Sequence, residues 1–139
     1  MLTRRKKRNT TERGQGLAEA AITFPVLLLA MMGLITLGMI GFAAVNANNA
    51  ANYGARMGSV AQSAQASVAS NHALNMLSAA PVGTYVVGVS GGGAPGDLII
   101  VQVSYAVPNY FQGLTAFFGA DSPDKFTGDA YSYFRQEGW

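Results

Sequence analysis

Between Glu19 and Arg56 the chain carries no charged residue, and from Ala20 to Val45 only Thr23 and Thr36 interrupt an apolar run. An unbroken apolar stretch of this length predicts a membrane-spanning helix. At a rise of about 1.5 Å per residue the run makes roughly 39 Å of helix, against a hydrocarbon core of about 30 Å, so it crosses with tilt or projects beyond the bilayer. From Asn46 to about Ala80 the residues turn small and polar, with no proline before Pro81. The pattern there predicts that the helix continues out of the membrane. Tyr53, Met57, Val60, Ala64 and Val68, three to four residues apart, would form one amphipathic face, although glycines at 54 and 58 weaken the helix.

After Pro81 the period changes from helix to strand. Tyr85–Val89 is one expected strand, Ser90–Asp97 a glycine-rich hairpin tip, and Leu98–Val107 a second strand in which Val101, Val103, Tyr105 and Val107 alternate with Gln102, Ser104 and Ala106. Pro108 is expected to end it. Asn109–Ala120 reads as an aromatic connector, and Phe126–Arg135 alternates again as a third strand. Three strands need cover on one face, for which the outer half of the long helix is the nearest element. The expected fold is therefore α+β: a long N-terminal transmembrane and amphipathic helix with a small C-terminal antiparallel sheet.

Charge placement orients this picture. Six of the nine basic residues (Arg4, Arg5, Lys6, Lys7, Arg8 and Arg13) precede the apolar run, and the rest of the chain is net acidic. Positive charge on that flank places the N-terminus in the cytoplasm and sends the C-terminal region outward. Residues 1–13 read as a disordered basic leader, and nucleic-acid binding would have to rest on it alone, so none is expected. A removable secretory signal is disfavoured, because the apolar run is too long and no small-x-small site follows it at Phe42–Asn49. The chain has no cysteine, which excludes disulfides, thiolate nucleophiles and cysteine-based zinc sites.

The most informative motif is Arg13-Gly14-Gln15-Gly16-Leu17-Ala18-Glu19, directly before the apolar run. A carboxylate at the edge of a membrane helix requires a partner or the headgroup level, and at the first helical turn it also complements the helix dipole. In this order of residues the chain resembles the type IV pilin superfamily, most closely the TadE-like minor pilins of tight-adherence (Flp) pili. Gly14 corresponds to the glycine that ends a basic leader, Gln15 to the new N-terminus, and Glu19 to the glutamate five residues past the cut. The likeness continues through Pro25, Gly33 and Gly38 to Ala50-Ala51-Asn52-Tyr53-Gly54-Ala55-Arg56, and then through Leu98–Tyr105 and Ala130–Glu137, so that it covers nearly everything after Gly14. It departs from the family at Ala20, where a bulky residue is usual, and in the small run Ala18–Ala21.

The resemblance implies a structural subunit that is processed by a prepilin peptidase between Gly14 and Gln15 and held in the cytoplasmic membrane. It further implies assembly with other pilin subunits, through a pilus assembly platform, in or at the base of an adhesive appendage. The segments would then be a leader (1–14), a transmembrane helix half (15–45), an extracytoplasmic helix half (46–80) and an extracytoplasmic sheet region (81–139). The alternative is an uncleaved signal-anchored accessory protein of a secretion or pilus assembly system. Ala43, Ala47, Ala51 and Ala55 recur every four residues, and Gly54 and Gly58 form G-x-x-x-G, a stripe that allows close backbone approach. No enzymatic constellation, cofactor or metal site is expected. His72 reads as a solvent-facing helix residue, Asp121, Asp124 and Asp129 as a solvated turn, and Asn9-Thr10-Thr11 as a sequon on the cytoplasmic side. Tyr131, Tyr133, Phe134 and Trp139 are expected to pack within the sheet.

Overall fold

A computed structural model describes residues 10–79 and 82–137, with side chains from Gly14 onward within that range. The basic run Arg4–Arg8, Asn9, Pro81 and Trp139 lie outside the described residues. The chain divides into two compact units, Met1–Ile35 and Thr36–Trp139.

Helix α1, Thr10–Ser59, begins four residues inside the expected leader, so Thr10–Arg13 are helical and not irregular. It continues through Pro25, whose missing N–H leaves the Ala21 carbonyl without its helical donor. In the first unit most of its large side chains are exposed, among them Leu17, Ile22, Phe24, Val26, Leu27 and Leu34, while Leu28, Leu29 and Met32 are half-buried. From Gly14 to Ser59 it is long and apolar enough to cross a membrane. A helix with large apolar side chains exposed on most of its surface is suited to lipid.

In the second unit the expected continuous helix to Ala80 is corrected. α1 ends at Ser59, the chain turns through Val60–Ala64, and α2, Gln65–Ser78, folds back along it. Ala64 turns the corner in the left-handed region at φ 53°. A β-carbon placed on Gly54 would meet Ala69 and Ala73, and one on Gly58 would meet Gln65 and Ala69, which defines an antiparallel helical hairpin. The face that packs is therefore also corrected. Tyr53 and Val60 are exposed, whereas Ala47, Ala51, Gly54, Ala55 and Gly58 are buried. The smallest residues point inward because two backbones in contact leave no room for larger ones.

The sheet is a meander of β1 (Thr84–Gly91), β2 (Leu98–Pro108) and β3 (Lys125–Arg135), antiparallel throughout with β2 in the centre. Pro108 is the last residue of β2, paired with Lys125, where the strand end spares it a ladder bond. The alternation of β2 sends Ile99, Val101, Val103 and Val107 into complete burial, with Tyr105 half-buried beside them. On the same face Tyr105 covers Gly128, its partner across β3. This inner face packs on the alanines of α1 and α2: Ala47, Ala50, Ala51, Ala55, Ala69 and Ala73 form one core with it.

Tyr131 and Tyr133 lie on the opposite face, stacked on each other at 6.5 Å and exposed. His72 is half-buried, edge-on to Tyr53 at 5.5 Å, and not simply solvent-facing. The connector after β2 contains a short helix, α3 (Gln112–Phe117), that the sequence pattern did not indicate.

Polar ties clamp α1 to the sheet. Ser132 Oγ donates to Asn52 Oδ1 at 2.7 Å, and the Glu137 amide donates to the Ser59 carbonyl at 3.0 Å. Ser132 is buried while Asn52 remains exposed, so Ser132→Ala should cost about 1 kcal/mol. Denaturant unfolding of Ser132→Ala, Asn52→Ala and the double variant would check it. Costs that simply add would mean that the bond contributes nothing.

Candidate functional site: the N-terminal helix and its small-residue face

Two features of α1 bear on function: the segment Gly14–Glu19 and the small-residue stripe further along. Gly14, Gln15 and Glu19 are all exposed, and a β-carbon on Gly14 or Gly16 would meet nothing within 4 Å. Gln15 Nε2 donates to Glu19 Oε1 at 3.3 Å, a contact between residues one helical turn apart. The carboxylate therefore stands at the mouth of the apolar run with a polar neighbour on its own helix face. Such a group is suited to pairing with a cation held at the same level.

The stripe is used inside the chain. Ala43, Ala47, Ala51 and Ala55 are fully buried, and Gly54 and Gly58 admit the backbone of α2. Next to it, burial pushes the Tyr85 phenol upward in pKa, partly opposed by the amide of Asn46 beside it. That phenol donates to the Val82 carbonyl at 3.0 Å, and Asn46 Nδ2 has no acceptor of good geometry. Asn46 and Tyr85 were not singled out by motif; an asparagine at the foot of an alanine stripe was the available signal.

Other polar side chains tie the loops and strands together. Gln136, nearly buried, clips the hairpin tip by accepting at Oε1 from the Gly93 amide and at its carbonyl from the Gly96 amide, both at 3.0 Å. Gly92, at φ 77°, lies against Ile99 there, where a side chain would be both strained and crowded. Asp124 accepts from Gln112, and Asp129 from Ser104 and Gln102. Among the described residues no group of three or more histidines or carboxylates is placed to hold a metal ion.

Residues 14–56, from the exposed glycine to the arginine after the buried stripe, match the family model of the TadE-like proteins. That stretch is TadE-like. The match takes in Gly14, Gln15, Glu19 and the whole stripe except Gly58, and it is narrower than the likeness read from the sequence, which extended into the sheet. No curated protein and no solved structure matches the chain. The TadE-like family is a structural, pilus-associated family, and the apolar helix is a candidate membrane span compatible with anchoring.

Proposed function

We propose that this TadE-like chain is a pilin-like subunit, a minor pilin or pseudopilin, of a tight-adherence pilus. In this reading α1 is inserted in the cytoplasmic membrane with its N-terminus in the cytoplasm, and a prepilin peptidase cuts between Gly14 and Gln15. The mature subunit joins other pilin subunits through the assembly platform, in or at the base of an adhesive appendage. The observation that carries this reading is the coincidence, at one place, of three features: the start of the TadE match, an exposed glycine after a basic segment, and a carboxylate at the edge of the apolar run.

Cleavage has a physical consequence for assembly. It removes basic residues that a packed apolar bundle cannot accommodate and creates an ammonium on Gln15. That ammonium lies one turn from Glu19 on its own helix, and in an assembly it lies within reach of a neighbour's Glu19. Either charge left unpaired in low dielectric would cost several kcal/mol, so pairing favours insertion in register.

One observation favours the other reading, an uncleaved signal-anchored accessory protein. Gly14 lies inside α1, so its peptide bond must leave helical geometry before a peptidase can act on it. The N-terminus decides between the two. Mass spectrometry of protein sheared from the cell surface should find Gln15 as the first residue, and Gly14→Ala should leave the chain full-length in the membrane. Recovery only from membranes, beginning at Met1, would sink the pilin reading in favour of the anchor.

A further inference from the structure

The connector between β2 and β3 is held by its own polar side chains, half-buried or exposed: Asn109 Nδ2 donates to Ser122 Oγ at 3.2 Å and to the Pro123 carbonyl at 3.0 Å, Thr115 Oγ1 meets Ser122 Oγ at 2.7 Å, and Gln112 donates to Asp124. Its base is closed by the Asn109 amide on the Asp124 carbonyl at 2.8 Å. Three of its four aromatic side chains are exposed, Phe111 alone being half-buried. Phe117 is 81% exposed, Tyr110 66% and Phe118 48%, with Phe117 and Phe118 edge-on at 5.4 Å. Exposed phenyl rings on a loop in water are unfavourable, and the polar bonds of the loop do nothing to cover them.

Its place in the second unit says what covers it. The contacts between α1 and the sheet run in one sense: Ser59 meets Glu137, Asn52 meets Ser132, and Asn46 meets Tyr85. Tyr85 stands in the row Tyr85–Tyr105–Gly128, and the connector leaves the sheet beyond that row, at Pro108 and Lys125. It therefore occupies the end of the sheet next to Asn46, where the apolar run of α1 ends at Val45 with Phe42 and Val45 exposed. Tyr110 and Lys125 flank the same hollow. Tyrosine and lysine beside exposed phenylalanines are the residues that settle at a bilayer's headgroup level.

We infer that residues 110–118 form a membrane-surface anchor, with Phe117 and Phe118 dipping into the outer boundary of the bilayer that α1 crosses. This rests on the reading of α1 as a membrane span, and the test separates the two. The full-length chain carrying Trp139→Phe, which removes its one native tryptophan, is reconstituted in phosphatidylcholine vesicles with single tryptophans reintroduced. Phe117→Trp should emit blue-shifted and be quenched more by lipids brominated near the headgroup end of the acyl chain than by lipids brominated near its methyl end. Tyr110→Trp is a second reporter from the same loop, expected to show the same preference. Leu98→Trp, at the other end of β2, should emit as in water and remain unquenched. If Leu34→Trp in α1 is quenched while both loop reporters are not, the anchor is overturned and the span stands. A blue shift without quenching that changes with the protein-to-lipid ratio assigns the loop to a second copy of the chain and also overturns it. An unquenched Leu34→Trp removes the span and the anchor together.

Discussion

Gly54→Leu should abolish cooperative folding of the second unit, while Gly38→Leu, the same exchange on the same helix, should leave it intact. A single β-carbon on Gly54 already falls 2.7 Å from the Ala69 carbonyl oxygen and 2.9 Å from the Ala73 β-carbon. Backbone oxygen cannot swing aside as a flexible side chain does, so α1 and α2 must separate and open the core beneath them. Overpacking of this kind costs about 3 kcal/mol or more, a large share of the roughly 5–15 kcal/mol that holds a small domain together. A β-carbon on Gly38 meets nothing within 4 Å, and the exchange there gains up to about 1 kcal/mol in helix propensity. Thermal unfolding of the detergent-solubilised protein, followed by near-ultraviolet circular dichroism of the tyrosines, measures both. Equal midpoints for the two variants would refute the hairpin as the element that organises this unit.

Glu19→Gln should reduce incorporation into pili by at least about tenfold, the equivalent of 1.4 kcal/mol, with membrane insertion and processing unchanged. The exchange preserves shape and hydrogen bonding and removes only the charge, so the loss would report an ion pair and not packing. Glu19→Asp keeps the charge on a shorter stem and should retain part of the incorporation. Quantifying the subunit in sheared fractions against its membrane pool gives the ratio directly. Full incorporation of Glu19→Gln would remove the proposed ammonium–carboxylate pair while leaving the cleavage assignment untouched. The measurement is distinct from the N-terminal analysis for that reason.

The strands were legible because their signal is local. A period of two over Leu98–Val107 set which side chains face the core, and the structure buries Val101, Val103 and Val107 accordingly. The apolar run was equally legible, since its length and composition are local, and the structure makes it one helix long and apolar enough to cross a membrane. The turn after Ser59 was not. Val60–Ala64 contains neither proline nor glycine, and its closing residue, Ala64, adopts a backbone conformation that alanine rarely takes. Only the contact between α1 and α2, together with the sheet beneath them, compensates for it. The same contact chose between two faces read from the spacing: it leaves Tyr53 and Val60 exposed and buries the stripe of Ala47, Ala51, Gly54 and Ala55, because close approach selects for lack of size.

The Gly14–Glu19 motif lay open in the sequence because its meaning depends on spacing along the chain, and the structure adds only that it is exposed and helical. The exposed aromatics of the connector could not be read that way. Its aromatic residues were visible, but whether Phe117 points in or out depends on where Asn109, Thr115 and Ser122 find their hydrogen bonds. The sequence by itself thus determined what repeats with a fixed period or sits at a fixed distance along the chain: the apolar helix, the three strands and the segment before the helix. Tertiary structure alone decided the reversal at Ser59, the partner that the small-residue stripe meets, and the exposure of the connector's aromatics. Each of those depends on contacts that no local pattern encodes.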